Sequence, residues 1–136
     1  MQSYKLLIFI IVTAVLLLSG CSPKSSTNKE LAEMVEQDQL DRLQGYIDKS
    51  NDLARLKRVQ ELEKNGGLRH PLDYYNAALI YQHGISPQHY LKAHLLSKEA
   101  LKRDPNLGKA RWLSCAAEDR YLLSLGKAQV WGRNIW

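Results

Sequence analysis

Apolar residues follow two different patterns along this chain, one near its start and another over most of the remainder. Residues 6–18 are apolar with the exception of Thr13, and Lys5 precedes them. Beyond residue 30, apolar residues recur three and four positions apart between charged ones, as on amphipathic helices. No segment shows the sustained alternation of a half-buried strand. The chain is therefore predicted to be all-α over this part.

Start and stop signals divide the helical part into five predicted helices, which we expect to form a small bundle. Such signals are capping residues, a proline in a first turn and a glycine after a last turn. Here they are Thr27 with Glu30, Ser50 or Asn51, Asn65-Gly66-Gly67, Pro71, Ser86-Pro87, Asp104-Pro105 and Gly126. The first helix carries one apolar stripe and, on another face, Leu40, Leu43 and Ile47. It is therefore expected to contact neighbours on two sides.

The first apolar run has the features of a secretory signal, with a positive charge before it and small residues after it. A helix of about 13 residues, rising about 1.5 Å each, is too short to cross a hydrocarbon layer of about 30 Å. An uncleaved membrane anchor is the alternative interpretation. The residues Leu18-Ser19-Gly20-Cys21 resemble the lipobox of bacterial lipoproteins at all four positions. The resemblance implies cleavage after Gly20 and attachment of acyl chains such as palmitate to Cys21.

The lipobox also implies a location, the bacterial cell envelope, with the protein held at a membrane through the lipid on Cys21. In a Gram-negative cell, Ser22 after the cysteine implies the outer membrane, with the protein facing the periplasm. The predicted segments are a signal peptide, a lipidated cysteine with a polar tether, a helical domain and an apolar C-terminal tail. They span residues 1–20, 21–28, 29–126 and 127–136.

The composition of the chain and the motifs it lacks argue against several classes of function. The formal net charge is +5, but the basic residues are scattered and form no run, so nucleic acid is not a predicted partner. The chain has no Gly-rich phosphate loop, no Gly-x-Ser-x-Gly motif and no His-Glu-x-x-His motif. We therefore predict no cofactor and no metal, and assign no catalytic residue.

The third and fourth predicted helices are joined by a short loop and are rich in alanine where they would touch. Residues 78–85, with Tyr90-Leu91-Lys92-Ala93, resemble a Sel1-type or tetratricopeptide helical hairpin. The resemblance implies an antiparallel pair that presents a surface for a peptide. A second copy is not evident, so a bundle is favoured over a solenoid. The candidate binding residues on this hairpin are Tyr74, Tyr81, His83, Tyr90 and His94.

A second resemblance rests on polar motifs spread over the chain. It is to an uncharacterised bacterial helical family whose tail often reads Gln-x-Tyr/Trp-Gly-Thr-Gln. The matching motifs here include Asp38-Gln39 with Arg42, Gln82-His83-Gly84, Asp119-Arg120-Tyr121-Leu122 and Gln129-Val130-Trp131-Gly132. Arg133 and Asn134 depart from the family's last two positions. No activity is known for that family, so the resemblance bears on fold alone.

Three polar residues occupy apolar faces of predicted helices and are expected to meet inside the bundle. Asp38 and Arg42 are four apart and share a helix face, and Asp119 lies between apolar neighbours. Gln39 completes this candidate buried polar cluster. Since buried charges must be paired, the cluster is interpreted as a structural lock, a ligand pocket or a catalytic site.

The tail is predicted to fold back over the bundle, with a docking peptide or a membrane-interface anchor as alternatives.

Three functions are compatible with these features. The first is a lipid-anchored envelope protein, of unknown activity, that binds or scaffolds a protein or peptide. The second is an envelope-associated hydrolase that uses a His/Asp site, either His83, His94 and Asp73 or the polar cluster. The third is a purely structural lipoprotein. The chain is more readily interpreted as a binding protein than as an enzyme.

Overall fold

A computed structural model describes residues 26–132 of the chain, which form five α-helices and no strand. The helices are α1 (Lys29–Leu43), α2 (Lys49–Lys64), α3 (Pro71–Gln82), α4 (Pro87–Arg103) and α5 (Gly108–Ser124). The predicted all-α bundle is confirmed. The signal peptide, the lipobox with Cys21 and the last four residues of the tail lie outside the described residues.

Most predicted helix boundaries agree with the structure, but the residues that cap the first two helices differ from the prediction. Pro71 and Pro87 lie in the first turns of α3 and α4, as expected. Helix α1, however, is capped by Asn28, whose side chain accepts a hydrogen bond from Leu31 N. Helix α2 is capped by Asp48 rather than by Ser50 or Asn51, because the Asp48 carboxylate accepts from the backbone amide of Ser50.

Helix α3 is the centre of the bundle, since it contacts each of the other four helices. Eight of its twelve residues are buried, and the fully buried Ala77 and Ala78 allow neighbouring backbones to approach closely. Helix α4 packs antiparallel to α3, as predicted. The ring of Tyr81 lies 6.3 Å from that of His89, and the guanidinium of Arg103 lies 4.3 Å from the ring centre of Tyr74.

Contacts between helices define two ends of the bundle. At the proximal end, where α1 and α3 begin, Asn28 N donates to Asp73 Oδ1 over 2.7 Å. At the distal end, where α1 and α3 finish, Asp38 lies against His83. Helices α1, α3 and α5 therefore run from proximal to distal, and α2 and α4 run back. None of these five helices is long and apolar enough to cross a membrane.

Candidate functional site

A group of charged side chains lies at the distal end, between α1, α2 and the end of α3. We call it the distal cluster, and its members are Asp38, Asp41, Arg42, Asp52, Arg55 and His83. Asp38 is its centre, and its side chain is only 1% exposed. The four-residue spacing of Asp38 and Arg42 on α1 places both toward the first turns of α2.

Two guanidinium groups compensate the buried charge of Asp38. Arg42 Nη2 lies 3.2 Å from Asp38 Oδ1 and 2.7 Å from Asp52 Oδ1. Arg55 Nη1 lies 3.3 Å from the same Asp38 oxygen, and Arg55 also pairs with Asp41. The cluster thus alternates three carboxylates with two arginines, which is the arrangement that a buried charge requires.

His83 contacts the cluster through one ring nitrogen. Its Nδ1 lies 3.0 Å from Asp38 Oδ2 and 3.0 Å from Arg42 Nε. A protonated Nδ1 donates to Asp38, whereas a bare Nδ1 accepts from Arg42, so the two hydrogen bonds exclude each other. The protonation of this nitrogen therefore decides whether the ring is hydrogen-bonded to Asp38 or to Arg42.

The ionisation of Asp38 is set by opposing effects. Burial by itself would raise the pKa of its carboxyl, because it disfavours the charged form. Hydrogen bonds and positive charge from His83 and Arg42 outweigh burial and lower the pKa of Asp38 to about 2. For Arg42, burial opposes the charge, but Asp38 and Asp52 raise its pKa above the ordinary value. The pair is consequently ionised at neutral pH.

The predicted polar cluster is brought together only in part. Gln39 Nε2 donates to Asp38 Oδ2 over 2.8 Å, beside Arg42. Asp119 is fully buried, but its Oδ1 accepts from the backbone amides of Val130 and Trp131 at 2.8 and 3.0 Å. Its Oδ2 is buried without a hydrogen-bond partner among the residues that the structure describes. Asp119 therefore holds the beginning of the tail against α5 and makes no hydrogen bond with the Asp38 pair.

The tail folds back as predicted over the part that the structure describes, up to Gly132. It does so through polar contacts, since Trp131 Nε1 also donates to Glu118 Oε2 over 2.8 Å. The side chains of Val130 and Trp131 remain exposed, so they cover little of the bundle.

The candidate binding residues on the α3–α4 hairpin mostly contact other parts of the bundle. Tyr81 is buried, and its hydroxyl donates to Glu63 Oε2 over 3.0 Å. Burial, with the charge and hydrogen bond of Glu63, raises the pKa of Tyr81 above its usual range. His94 Nδ1 lies 2.9 Å from the carbonyl of Ser114, and since a carbonyl only accepts, this nitrogen carries the proton.

The remaining candidates lie at opposite ends of the hairpin. Tyr74 is proximal, and Tyr90 is distal, where Arg120 lies 5.7 Å from its ring centre. Asp73 also lies at the start of α3 and His83 directly after its last residue. They are about 15 Å apart at 1.5 Å per residue, so the grouping of His83 with Asp73 is wrong.

Four side chains of the site were not singled out from the sequence as site residues. Asp52 and Arg55 are three apart on α2, a spacing that suits an ion pair but is common on exposed helices. Arg120 Nη1 donates to the carbonyl of Gln82 over 2.7 Å, and burial, with the charge of Arg42, lowers its pKa. Asp41 completes the set. The partners that bring these residues into the site, such as Asp38 for Arg55 and Arg42 for Asp52, belong to other helices and leave no local signal.

Most of the exposed apolar side chains belong to the end of the bundle that holds the distal cluster. Eight of the twelve large apolar side chains that are exposed among residues 26–132 belong to the last or first turns and loops of this end. They are Leu40, Leu43, Tyr46, Ile47, Leu53, Ile85, Leu123 and Leu125. Helix α1 contacts two neighbours, α2 and α3, as predicted. The expected contact through Leu40, Leu43 and Ile47 is wrong, because all three side chains are exposed and Ile47 lies beyond the end of α1.

Comparison with protein-family models, with curated proteins and with solved structures gives no match to this chain. Within residues 26–132, no three His, Cys, Asp or Glu side chains are placed to hold a metal ion.

Proposed function

We propose that this chain is a lipid-anchored protein of the bacterial cell envelope that binds a partner protein through the distal end of its bundle. The observation that carries the proposal is the collection of exposed apolar side chains around the distal cluster. The lipobox resemblance at Cys21 supports the envelope location. The position of the described N terminus at the proximal end supports an accessible distal end.

The distal end has the composition of a protein-binding surface. Leu43, Ile47 and Ile85 are 84%, 67% and 66% exposed, and they flank charged residues whose charges are already paired. Exposed apolar patches of this kind mark interaction sites, because burying them removes unfavourable contact with water. The paired charges between them supply polar contacts without adding an unpaired buried charge. Helix α1 separates this surface from the proximal end by about 22 Å at 1.5 Å per residue.

Site-specific photo-crosslinking in cells tests the proposed surface. A photoreactive amino acid at Ile47 or Ile85 is expected to give one adduct of discrete mass, since both positions belong to the binding surface. The same probe at Gln60, an exposed position on α2, is the control and should give none. Leu43→Glu should abolish the adduct, because a charged side chain in the interface would be desolvated when the partner binds. No adduct at either distal position, or one that is unchanged by Leu43→Glu, would contradict the proposal.

The lipid anchor is tested in the same cells. Cys21→Ser removes the thiol that receives the lipid and should move the protein from the membrane fraction to the soluble fraction. Intact-mass measurement of the parent protein should show a modified Cys21 at the N terminus. Complete retention of the variant with membranes would show that lipid on Cys21 is not the anchor.

One observation favours a second candidate, an envelope-associated hydrolase. The contact of His83 Nδ1 with the buried Asp38 carboxylate is the arrangement that orients an imidazole for acid–base catalysis. Incubation with isolated envelope material should then release soluble products, detected by mass spectrometry, and His83→Gln should stop the release while the fold is kept. An inactive parent protein would remove this candidate.

A further inference from the structure

Five basic side chains lie together around the turn that joins α4 to α5, and we call them the proximal basic face. They are Lys98, Lys102, Arg103, Lys109 and Arg111, all of them exposed. The same stretch, residues 98–111, contains only two acidic residues, so five positive against two negative charges leave +3. This short stretch therefore holds more than half of the chain's net charge of +5.

Two tyrosines fix this face to the end of the bundle at which α1 begins. The guanidinium of Arg103 lies 4.3 Å from the ring centre of Tyr74, and Lys109 Nζ lies 4.4 Å from that of Tyr75. Both tyrosines directly follow Asp73, whose carboxylate accepts the backbone amide of Asn28. The basic face and the start of α1 thus share the proximal end.

The length of the intervening chain keeps this end close to the proposed anchor. Asn28 is seven residues after Cys21, and seven residues span at most about 25 Å when fully extended. A bundle attached through Cys21 therefore has its proximal end near the bilayer, while the distal end lies about 22 Å farther along α1.

An exposed tryptophan adjoins the basic face. Trp112 directly follows Arg111 on α5, and its side chain is 48% exposed. Tryptophan concentrates at membrane–water interfaces, because its ring has an apolar body and a polar N–H. Basic side chains beside such a ring have the chemistry of an anionic membrane surface.

We propose that the proximal basic face binds the anionic phospholipid headgroups of the membrane to which the protein is attached, and so holds the distal end away from the bilayer. The orientation rests on the proposed anchor at Cys21, whereas the headgroup binding does not. Each basic side chain near an anionic surface strengthens binding about fivefold, and the attraction fades over about 8 Å at physiological salt. Among residues 26–132, only Arg103 of the face has a salt bridge, with Glu99 over 2.8 Å, whereas in the distal cluster arginines and carboxylates neutralise each other throughout.

The test uses the lipidated protein in vesicles, with Trp112 as the probe. Trp131→Phe and Trp136→Phe leave Trp112 as the single tryptophan, and brominated lipids quench it when it approaches the bilayer. Quenching should be at least threefold stronger in vesicles with phosphatidylglycerol than in pure phosphatidylcholine. Added sodium chloride should remove the difference, whereas inorganic phosphate at constant ionic strength should not, which separates headgroups from free phosphate.

Matched charge reversals on and off the proximal basic face provide the decisive comparison. Lys98→Glu, Lys102→Glu and Arg111→Glu together leave the tyrosine contacts of the face intact and should abolish the extra quenching. The control reverses three exposed lysines outside the proximal basic face, Lys49, Lys57 and Lys127, and should leave the quenching unchanged.

Two outcomes would overturn the headgroup proposal: equal quenching in both kinds of vesicle, or equal losses in the two triple variants. Failure of the anchor has a different signature. The parent protein would then not float with pure phosphatidylcholine vesicles, yet it would still float with vesicles that contain phosphatidylglycerol.

Discussion

Asp38→Asn is expected to lower the free energy of unfolding by about 3 kcal/mol at neutral pH, the usual effect of breaking a buried ion pair. The Asp38 carboxylate, 1% exposed, faces both Arg42 and Arg55. The asparagine amide has the same shape as the carboxylate but no charge. It therefore leaves these partly buried guanidinium groups with less compensating negative charge. Urea unfolding followed by circular dichroism measures the loss. Glu36→Gln, an exposed change on the same helix, is the control and should have little effect.

The loss should depend on pH in a defined direction. The pKa of Asp38 is about 2 in the folded protein against an ordinary value of 3.8, so this carboxyl stabilises the fold above about pH 4. That contribution, roughly 2 kcal/mol from the pKa difference, disappears as the pH falls through 2. The parent protein and Asp38→Asn should therefore converge in stability on acidification. A constant difference between pH 7 and pH 2 would show that the charge of Asp38 is not what stabilises the bundle.

Asp73→Ala is expected to lower the free energy of unfolding by about 4 kcal/mol, because three backbone amides lose a charged acceptor. The fully buried carboxylate accepts from Asn28, Arg69 and His70 at 2.7, 3.0 and 2.8 Å. It thereby caps the central helix α3 and ties the start of α1 to it. Thermal and urea unfolding both measure the effect.

Two further variants separate the tie between helices from simple capping. Asp73→Asn keeps one acceptor oxygen and should be intermediate in stability. Asp48→Ala removes the exposed cap of α2 and should lose only about 1 kcal/mol. If Asp73→Ala were no more damaging than Asp48→Ala, the tie between α1 and α3 would contribute nothing beyond an ordinary cap.

Signals within a few residues along the chain were sufficient to predict the helices and one pair of site residues. The Ser86-Pro87 start of α4 is specified within a few residues, and so are the left-handed glycines Gly66 and Gly126 that end α2 and α5. The Asp38–Arg42 pair was predictable for the same reason, since both residues belong to one helix. The cap of α2 was not, because Asp48, Ser50 and Asn51 all have capping side chains and lie within four positions.

The partners of Asp119 could not be predicted from signals within a few residues along the chain. Its apolar surroundings on α5 correctly indicated burial, and a buried carboxylate implies a partner. Residue types could not predict that Asp119 accepts hydrogen bonds from the backbone of Val130 and Trp131, because every residue except proline has the same backbone amide. His83 was likewise paired with Asp73 on sequence grounds. The parallel packing of α1 and α3 pairs it with Asp38 instead.

The sequence by itself determined the helices, their order and the pairing of Asp38 with Arg42. These depend on interactions within a few residues along the chain. Only the tertiary structure decided which apolar face remains open and which charges meet, because both depend on the direction in which helices pack. Leu40, Leu43 and Ile47 have the pattern of a contact face, and they are exposed because no described helix packs against them.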